Sequence, residues 1–222
     1  MRILAITDIH GSESVKYAVR EWLDMFKPEI VTISGDITNF GPPSWARKFL
    51  DAIPLPKFAV PGNCDPPNVI EEIKKSKAKC LHFSREKYKD FEFVGLGGSI
   101  STPFGTPFEL EEEEIYNELK KVIVPRAIIV SHTPAKGHLD SIPSRGSGLG
   151  SVSLLRIVKE YQPILFISGH IHESVGVERD GKTVFVNPGP AKNNMCAIID
   201  IPDAYSKNVD MKTEIKVDLI SQ

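Results

Sequence analysis

The chain has 222 residues, of which 41% are hydrophobic and 25% charged, and its 27 basic and 29 acidic residues give a formal net charge of −2. This length and composition are typical of a soluble globular protein, and we expect one domain over residues 1–222. The near-neutral charge, without a cluster of lysine and arginine among aromatics, argues against a nucleic-acid polymer as partner.

The cysteines and the apolar runs indicate in which cellular compartment the protein is located. Three cysteines, an odd number lying far apart, do not form a disulfide framework, which favours a reducing environment. The N-terminal apolar run is broken at Asp8 and is too short for a signal peptide, and no run approaches the length of a membrane span. We therefore expect a cytoplasmic protein without a membrane partner, and the sequence leaves its oligomeric state open.

Short apolar runs rich in β-branched residues recur along the chain, and each one stops at small and polar residues. The runs are continuous rather than alternating, which is typical of strands that are covered on both faces. In chain order they are ILAIT before Asp8, IVTIS before Asp36, FAVP before Asn63, AIIVS before His132 and ILFIS before His170.

Helical patterns lie between these runs. SVKYAVREWLDMF places its apolar residues on one face, SWARKFLDAI offers Ser44 as a cap, and PNVIEEIKKS begins with prolines that suit a first turn. EEEEIYNELKKV has acids first and lysines last, which matches the helix dipole. From residue 174 onward the pattern is one of short strands and turns. The sequence therefore predicts an α/β protein with two packed sheets and helices outside.

Polar residues at strand ends form the candidate site. Side chains at the carboxyl ends of strands in an α/β sheet converge on one crevice, and residues at i and i+2 of an extended segment point to the same side. The set contains two carboxylates, one amide and four imidazoles: Asp8, His10, Asp36, Asn63, His132, His170 and His172. One divalent ion cannot accept so many donors and keep a reactive position open, so we expect two ions that share a carboxylate.

Each of these residues has a commoner explanation when it is taken singly. A histidine at a strand end is more often a hydrogen-bonded structural residue, and Asp36 and Asn63 suit turns. The joint occurrence favours a metal site, because turns and cores do not require a metal-ligand type at the end of every strand.

The order of motifs D-x-H, G-D, G-N, a single histidine and G-H-x-H resembles the calcineurin-like metallophosphoesterases. It is most similar to compact prokaryotic phosphoesterases with GNCD in place of GNH, and the NPGP at 187–190 also resembles the family. The resemblance implies a four-layer α/β/β/α sandwich, with two mixed sheets flanked by helices, and hydrolysis of phosphate esters at a two-metal centre. It further implies two sets of ligands and a bridge, namely Asp8, His10 and His172 for one ion, Asn63, His132 and His170 for the other, and Asp36 between them.

The chemistry of such a centre agrees with the donor set. Two ions about 3.5–4 Å apart hold and acidify a water, and the resulting bridging hydroxide attacks phosphorus in line. Two dications, two carboxylates and one hydroxide carry a net positive charge, which attracts an anionic ester. Oxygen and nitrogen ligands without thiolate suit Mn, Fe or Zn, of which we favour Mn.

Cys64 stands where many members of the family carry a histidine that stabilises or protonates the substrate near the leaving group. A thiol nucleophile would need an adjacent base or a lowered pKa, and the metal hydroxide already fills that role. The neighbouring amide of Asn63 takes the ligand position. We therefore interpret Cys64 as a weakly polar residue near the site.

Two interpretations remain open for each of two further residues. Asp65 either orients the loop or a ligand through hydrogen bonds, or caps the following helix. Arg145, in the Gly/Ser-rich loop 136–151, either captures the substrate phosphate or is a solvated loop residue. His82 and His138 are interpreted as surface histidines.

We therefore predict a binuclear metal-dependent phosphoesterase that acts on a small phosphate ester, nucleotide-derived esters included. A phosphodiesterase is favoured over a phosphomonoesterase, and a nuclease is disfavoured because a basic groove is missing. The alternative of another class is a non-catalytic protein-binding scaffold of the same fold. The complete set of ligand residues argues for catalysis.

Overall fold

The computed structural model describes residues 1–144, 146–202 and 214–221. Strands and helices alternate in the first part: β1 (Arg2–Ile6), α1 (Glu13–Phe26), β2 (Ile30–Ser34), α2 (Pro43–Asp51), β3 (Lys57–Val60), α3 (Val69–Lys75) and β4 (Lys79–Cys80). The middle of the chain forms β5 (Arg85–Tyr88), β6 (Phe91–Leu96), β7 (Ser99–Ile100), β8 (Glu109–Leu110), α4 (Glu112–Val122), β9 (Ile128–Ser131), α5 (Val152–Tyr161) and β10 (Leu165–Ile167). The last part contains two antiparallel pairs, one of β11 (Gly176–Asp180) and β12 (Thr183–Asn187) and one of β13 (Met195–Asp200) and β14 (Lys216–Ser221).

The described strands form two large mixed sheets and a small parallel pair, β7 with β8. The first sheet has the order β14-β13-β1-β2-β3-β4, and the second has the order β11-β12-β10-β9-β6-β5. The inner strands are parallel in both sheets, whereas β13 runs antiparallel to β1, and β5 and β11 are antiparallel edge strands. The carboxyl ends of β1, β2 and β3 therefore lie at one edge of the first sheet.

Alternating side chains of each strand enter different cores, and this creates the four layers. Ile3 and Ala5 of β1 pack between the two sheets, whereas Leu4 and Ile6 pack against the first group of helices, α1 to α3. On the second sheet, the outward face, which includes Phe166, packs against α4 and α5. Both sheets are thus covered on both faces, which explains their continuous apolar runs. The predicted four-layer α/β/β/α sandwich is confirmed.

The helix ends differ in two places from the prediction. Ser44 is not the cap of α2, because the helix begins at Pro43 with Pro42 at the capping position. The prolines before α3 lie outside it, since this helix begins at Val69 after Asn68. No helix in the described ranges is long and apolar enough to cross a membrane.

The two histidines interpreted as surface residues are not freely exposed. His138 is 9% exposed, stacks on Phe185 and lies 2.8 Å from a carboxylate oxygen of Glu178. His82 is partly buried, and its Nδ1 accepts a hydrogen bond from the backbone of Gly97. Burial lowers the pKa of His82 to about 4, so the ring is neutral at neutral pH. The surface interpretation was wrong because both histidine rings pack against a phenylalanine that is distant in sequence, which is Phe108 in the case of His82.

Candidate metal centre

The ends of five strands bring the predicted ligand side chains together at one place between the sheets. Asp8, Asp36 and Asn63 follow β1, β2 and β3, while His132 and His170 follow β9 and β10. All five are at most partly exposed, and His132 is completely buried. The side chains of His10 and His172 complete the set from the loops after β1 and β10.

One half of the cluster is centred on the side-chain oxygen of Asn63. Oδ1 of Asn63 lies 2.8 Å from Nε2 of His132 and 3.0 Å from Nδ1 of His170. These are the three residues that the family resemblance assigns to one ion. The structure therefore places an oxygen and two imidazole nitrogens around a common point.

The other half is centred on Asp8. Nε2 of His172 lies 3.1 Å from Oδ1 of Asp8, and Nε2 of His10 lies 3.8 Å from the same oxygen. Ligand-type atoms of these three residues all lie within 4.8 Å of one another, which is compact enough to hold a metal ion.

Asp36 lies between the two halves and presents one carboxylate oxygen to each. Its Oδ1 is 3.5 Å from Nε2 of His132, and its Oδ2 is 3.5 Å from Nε2 of His10. The backbone amide of Cys64 donates to Oδ1 at 2.8 Å and so fixes the carboxylate. This is the geometry expected of a carboxylate shared by two ions.

The hydrogen bonds of His132 indicate that a cation is required between its Nε2 and Oδ1 of Asn63. Its Nδ1 lies 2.8 Å from the carbonyl oxygen of Ser34, which can only accept, so Nδ1 carries a hydrogen. In the neutral ring Nε2 then presents a lone pair to the oxygen of Asn63, because the amide nitrogen of Asn63 donates to Oγ1 of Thr106 at 3.0 Å. Two acceptors this close require a proton or a metal ion between them. The donor set therefore fits a divalent cation.

A second polar atom has no partner within the cluster. Nε2 of His10 is buried and makes no hydrogen bond. A buried polar atom without a partner costs free energy, so its presence needs an explanation. A metal ion bound between His10, Asp8 and Asp36 would satisfy it.

The ionisation of the carboxylates reflects their burial and their neighbours. Burial alone would raise the pKa of Asp8, but the hydrogen bond with His172 and the nearby His132 outweigh it and hold that pKa well below its usual range. Burial, together with the charge of Asp8, raises the pKa of Asp36 to about 6. Both groups are largely ionised at neutral pH, and neither is paired with lysine or arginine in the part of the chain that the structure describes.

The imidazoles divide into neutral and protonatable rings. Burial lowers the pKa of His10 to about 4, and burial together with His132 lowers that of His170 to about 3. Burial opposes a charge on His132 too, but the carboxylates of Asp36 and Asp8 outweigh it and raise its pKa. The rings of His10 and His170 are thus available as neutral donors, the form in which histidine binds a metal.

Several residues of the cluster have a left-handed backbone. Asp8, His10, Asp36 and His170 have positive φ angles, of 53°, 48°, 47° and 68°. A left-handed conformation of a residue other than glycine costs about 1–3 kcal/mol and persists where the surroundings enforce it, as at functional sites. Eight other non-glycine residues in the described ranges share this conformation, so it accompanies the cluster without being specific to it.

Glycines before two of the ligands permit close packing of the backbone. A Cβ on Gly62 would overlap the side chain and backbone of Asp36, and one on Gly169 would overlap Thr7 and come within 2.6 Å of Asp8. The G-N and G-H pairs of the sequence motifs thus have a steric reason. Each glycine lets one loop lie directly against the carboxylate of another.

Asp65 joins the loops that carry Asp36 and Asn63. Its buried carboxylate accepts hydrogen bonds from the amides of Ile37, Thr38 and Gly62 and from the hydroxyl of Thr38, at 2.7–2.9 Å. It is not at the capping position of α3, which is Asn68. Of the two interpretations, the contacts support the one in which Asp65 orients the loops.

Cys64 lies beside the cluster. Its sulfur is within 4.8 Å of ligand-type atoms of His10 and Asp36, so the thiol is nearer to a metal-binding position than the sequence suggested. Burial, followed by the charge of Asp36, raises the pKa of the thiol well above its usual value. A protonated thiol agrees with a weakly polar neighbour of the site. Arg145 lies outside the described residues.

Sequence reasoning missed the residues that orient Asn63. Thr106 receives the hydrogen bond of the Asn63 amide, and its own hydroxyl and backbone amide donate to Oε1 of Glu109 at 2.6 and 2.9 Å. Thr102 donates to the same oxygen. Thr106 is 43 positions from Asn63, and nothing local in the sequence marks it as a partner of a ligand residue.

The NPGP segment, by contrast, can be recognised from the sequence as part of the site. Asn187 donates to the carbonyl oxygen of Ile171, between the two histidines of the G-H-x-H motif, and Ala191 donates to that of Thr7, next to Asp8. This turn therefore supports ligand loops on both sheets.

Two mixed sheets between layers of helices, with two groups of metal-ligand side chains at the strand ends, define a metallophosphoesterase fold. Residues 1–174 match the calcineurin-like phosphoesterase family, and the chain belongs to that family. Members generally bind two divalent metal ions, and membership supports a metal-dependent hydrolase of phosphate esters.

Individual relatives extend this comparison. An uncharacterised protein of Methanocaldococcus jannaschii is 36% identical over 217 residues, which cover 90% of this chain and 96% of that protein. Human metallophosphoesterase domain-containing protein 1 is 28% identical over 224 residues, which cover 84% of this chain but 65% of the human protein. A solved structure from Thermus thermophilus has the same fold, with a TM-score of 0.75, 16% identity, and coverage of 99% of this chain and 98% of that one.

Proposed function

We propose that this protein is a two-metal phosphodiesterase that acts on small phosphate esters, nucleotide-derived esters included, and that its preferred metal is manganese. The observation that carries the proposal is the position of Asp36, which directs one oxygen toward each half of the ligand cluster at 3.5 Å from a histidine nitrogen. A scaffold protein has no need of a buried carboxylate in that position.

The residues of the chain have separate tasks in this proposal. Asp8, His10 and His172 would hold one ion, while Asn63, His132 and His170 would hold the other. When bound, two divalent ions would supply an acidified water and electrostatic stabilisation of negative charge on the phosphate. Asp36 maintains the spacing of the two halves, and the amide of Cys64 keeps its carboxylate in place.

Charge supports an anionic ester as the substrate. The two carboxylates are buried without an ion-pair partner among the described lysines and arginines, so positive charge in the centre would come chiefly from the metals. A diester carries one negative charge and a monoester close to two at neutral pH. A centre with a net positive charge attracts both, so the diester preference depends on a direct comparison of the two esters.

The test is hydrolysis by chelator-treated protein reloaded with Mn, Fe or Zn, measured on bis(p-nitrophenyl) phosphate and on p-nitrophenyl phosphate. We expect two metal ions per chain, the highest kcat/KM with Mn, and a higher value for the diester. Asp36→Asn should abolish turnover, whereas Asp51→Asn, a matched change at an aspartate on the surface of α2, should not. Equal or faster monoester hydrolysis would contradict the diester preference, and a metal-loaded protein inactive on both would contradict the proposal.

A further inference from the structure

An apolar pocket adjoins the metal centre and shares a residue with it. Its volume is about 260 Å³, and its lining includes Ile100, Phe104, Ile142, Leu149, His170 and Ile171. His170 is the residue whose Nδ1 approaches Asn63 in the ligand cluster. A group attached to a phosphate at the metals would therefore reach this pocket directly.

The chemistry of the lining selects an uncharged group. The described lining residues include no lysine, arginine, aspartate or glutamate, and most of the exposed lining surface is carbon. Apolar cavities of about 150 Å³ accommodate a benzene ring, so this pocket has room for one ring and its attachment. Among the described lining residues only Ser101 and Thr102 carry hydroxyls, so a second phosphate or a sugar would find few partners there.

The side chain of Phe104 adds aromatic carbon to the rim of the pocket. This ring is 68% exposed and is part of the lining. Aromatic rings pack against one another with a gain beyond area burial. The composition of the rim therefore favours an aromatic group.

Both walls of the pocket are held in place by carboxylates. Glu109 receives hydrogen bonds from Thr102 and Thr106 and so braces the loop that carries Phe104. On the other wall, buried Asp140 accepts from the amides of Gly137, Gly148 and Gly150. The pocket is therefore formed in advance, as binding sites for small molecules usually are.

We propose that this pocket binds an uncharged aromatic ring esterified to the phosphate, and that it makes the enzyme selective for aryl esters over small alkyl esters. The proposal rests on the phosphoesterase function above, because the ring reaches the pocket only when its phosphate lies at the metals.

The experiment compares methyl p-nitrophenyl phosphate with phenyl p-nitrophenyl phosphate, which share a leaving group. A hydrophobic pocket discriminates groups that differ by a few carbons by about tenfold or more, so the phenyl ester should have a kcat/KM higher by about that factor. Phe104→Ala and, on the opposite wall, Ile142→Ser should each reduce this ratio to below about threefold.

Tyr17→Ala is the matched control, because Tyr17 on α1 is also an aromatic residue that is 68% exposed and is not part of the pocket. It should leave the ratio unchanged. Equal kcat/KM for both esters in the wild type, or an unchanged ratio in both pocket variants, would overturn the pocket proposal while leaving the phosphoesterase function intact.

A second readout separates the two proposals. If the metal-loaded protein hydrolyses neither ester, calorimetry measures the binding of phenyl methylphosphonate and methyl methylphosphonate instead. Tighter binding of the phenyl compound by about tenfold, lost in Phe104→Ala, would support the pocket even though the proposed hydrolysis had failed. Equal affinities would overturn it.

Discussion

At the scale of single residues, Cys64 shows how position and ionisation have to be considered together. Its thiol lies beside His10 and Asp36, yet burial and the charge of Asp36 raise its pKa well above the usual value. A thiol in that state is neither a nucleophile nor an effective proton donor to an alkoxide. By the resemblance of the motif to those of the family, the residue would replace a histidine without its chemistry.

We therefore expect Cys64→Ala to change kcat/KM by less than about threefold, far below the ~10²–10⁴-fold loss expected when a general acid is removed. Cys64→His should increase activity on esters with poor leaving groups and leave activated esters nearly unchanged. A leaving-group series on the wild type and both variants checks this. A large loss in Cys64→Ala on every ester, with both metals still bound, would show that the thiol is catalytic.

At the scale of elements, the loop between β7 and β8 orients a candidate metal ligand that is distant in sequence. Thr106 accepts the amide hydrogen of Asn63, which turns the amide oxygen toward His132 and His170. In Thr106→Val the amide loses this partner and can rotate. Removal of a residue that orients a metal ligand typically costs about 10–100-fold in metal affinity.

We expect that loss in Thr106→Val, measured by metal titration of the chelator-treated protein, with a small change in the free energy of unfolding. Thr102→Val is the control, since Thr102 donates to the same oxygen of Glu109 but does not contact Asn63. Unchanged metal affinity in Thr106→Val would show that the amide is oriented by other contacts.

Asp65 has a different role at this scale, because it joins two loops. Each of its carboxylate oxygens accepts two hydrogen bonds from the loops after β2 and β3. In Asp65→Asn one oxygen becomes an NH₂ group, so two buried donors lose their acceptor. Each loss costs about 1–3 kcal/mol.

The free energy of unfolding should therefore fall by about 2 kcal/mol or more in Asp65→Asn, as measured by denaturant titration. Asp51→Asn should have almost no effect, because Asp51 is partly exposed and accepts from the amide of Lys77 at the surface. Equal stabilities of the two variants would contradict a bracing role for Asp65.

At the scale of the whole molecule, the burial of Asp36 opposes the stability of the metal-free fold at neutral pH. Burial raises the pKa of Asp36 to about 6 from 3.8, so the folded protein binds the proton more tightly than the unfolded chain. The resulting stabilisation is complete below about pH 4 and is lost as pH rises through 6. The loss amounts to up to about 3 kcal/mol.

Without metal, Asp36→Asn should therefore be more stable than the wild type at pH 8, and the difference should shrink toward pH 4. With saturating Mn the order should reverse, since two ions, each at 100 times its Kd, would together stabilise the wild type by about 5.4 kcal/mol, or about 2.7 kcal/mol per site. Denaturant unfolding at both pH values, with chelator and with Mn, checks both parts. A metal-free variant less stable than the wild type at pH 8 would contradict the prediction.

The sequence by itself determined the layers of the fold and the identity of the candidate ligands. Continuous β-branched runs predicted strands that are buried on both faces, and the polar residues after those runs had to meet where the carboxyl ends of the strands meet. Asp8, Asp36, Asn63, His132 and His170 could therefore be named together before any distance was known. The glycines preceding three of them were part of the same local pattern.

Only the tertiary structure decided which atoms face one another. The contacts of the two Asp36 oxygens with different histidines, the hydrogen bond between Thr106 and Asn63, and three of the four hydrogen bonds of Asp65 join segments that are distant in the chain. The same holds for the pocket, whose walls come from separate loops. Such contacts leave no mark in local composition or periodicity, because they arise only when the two sheets pack and bring their loops to one edge.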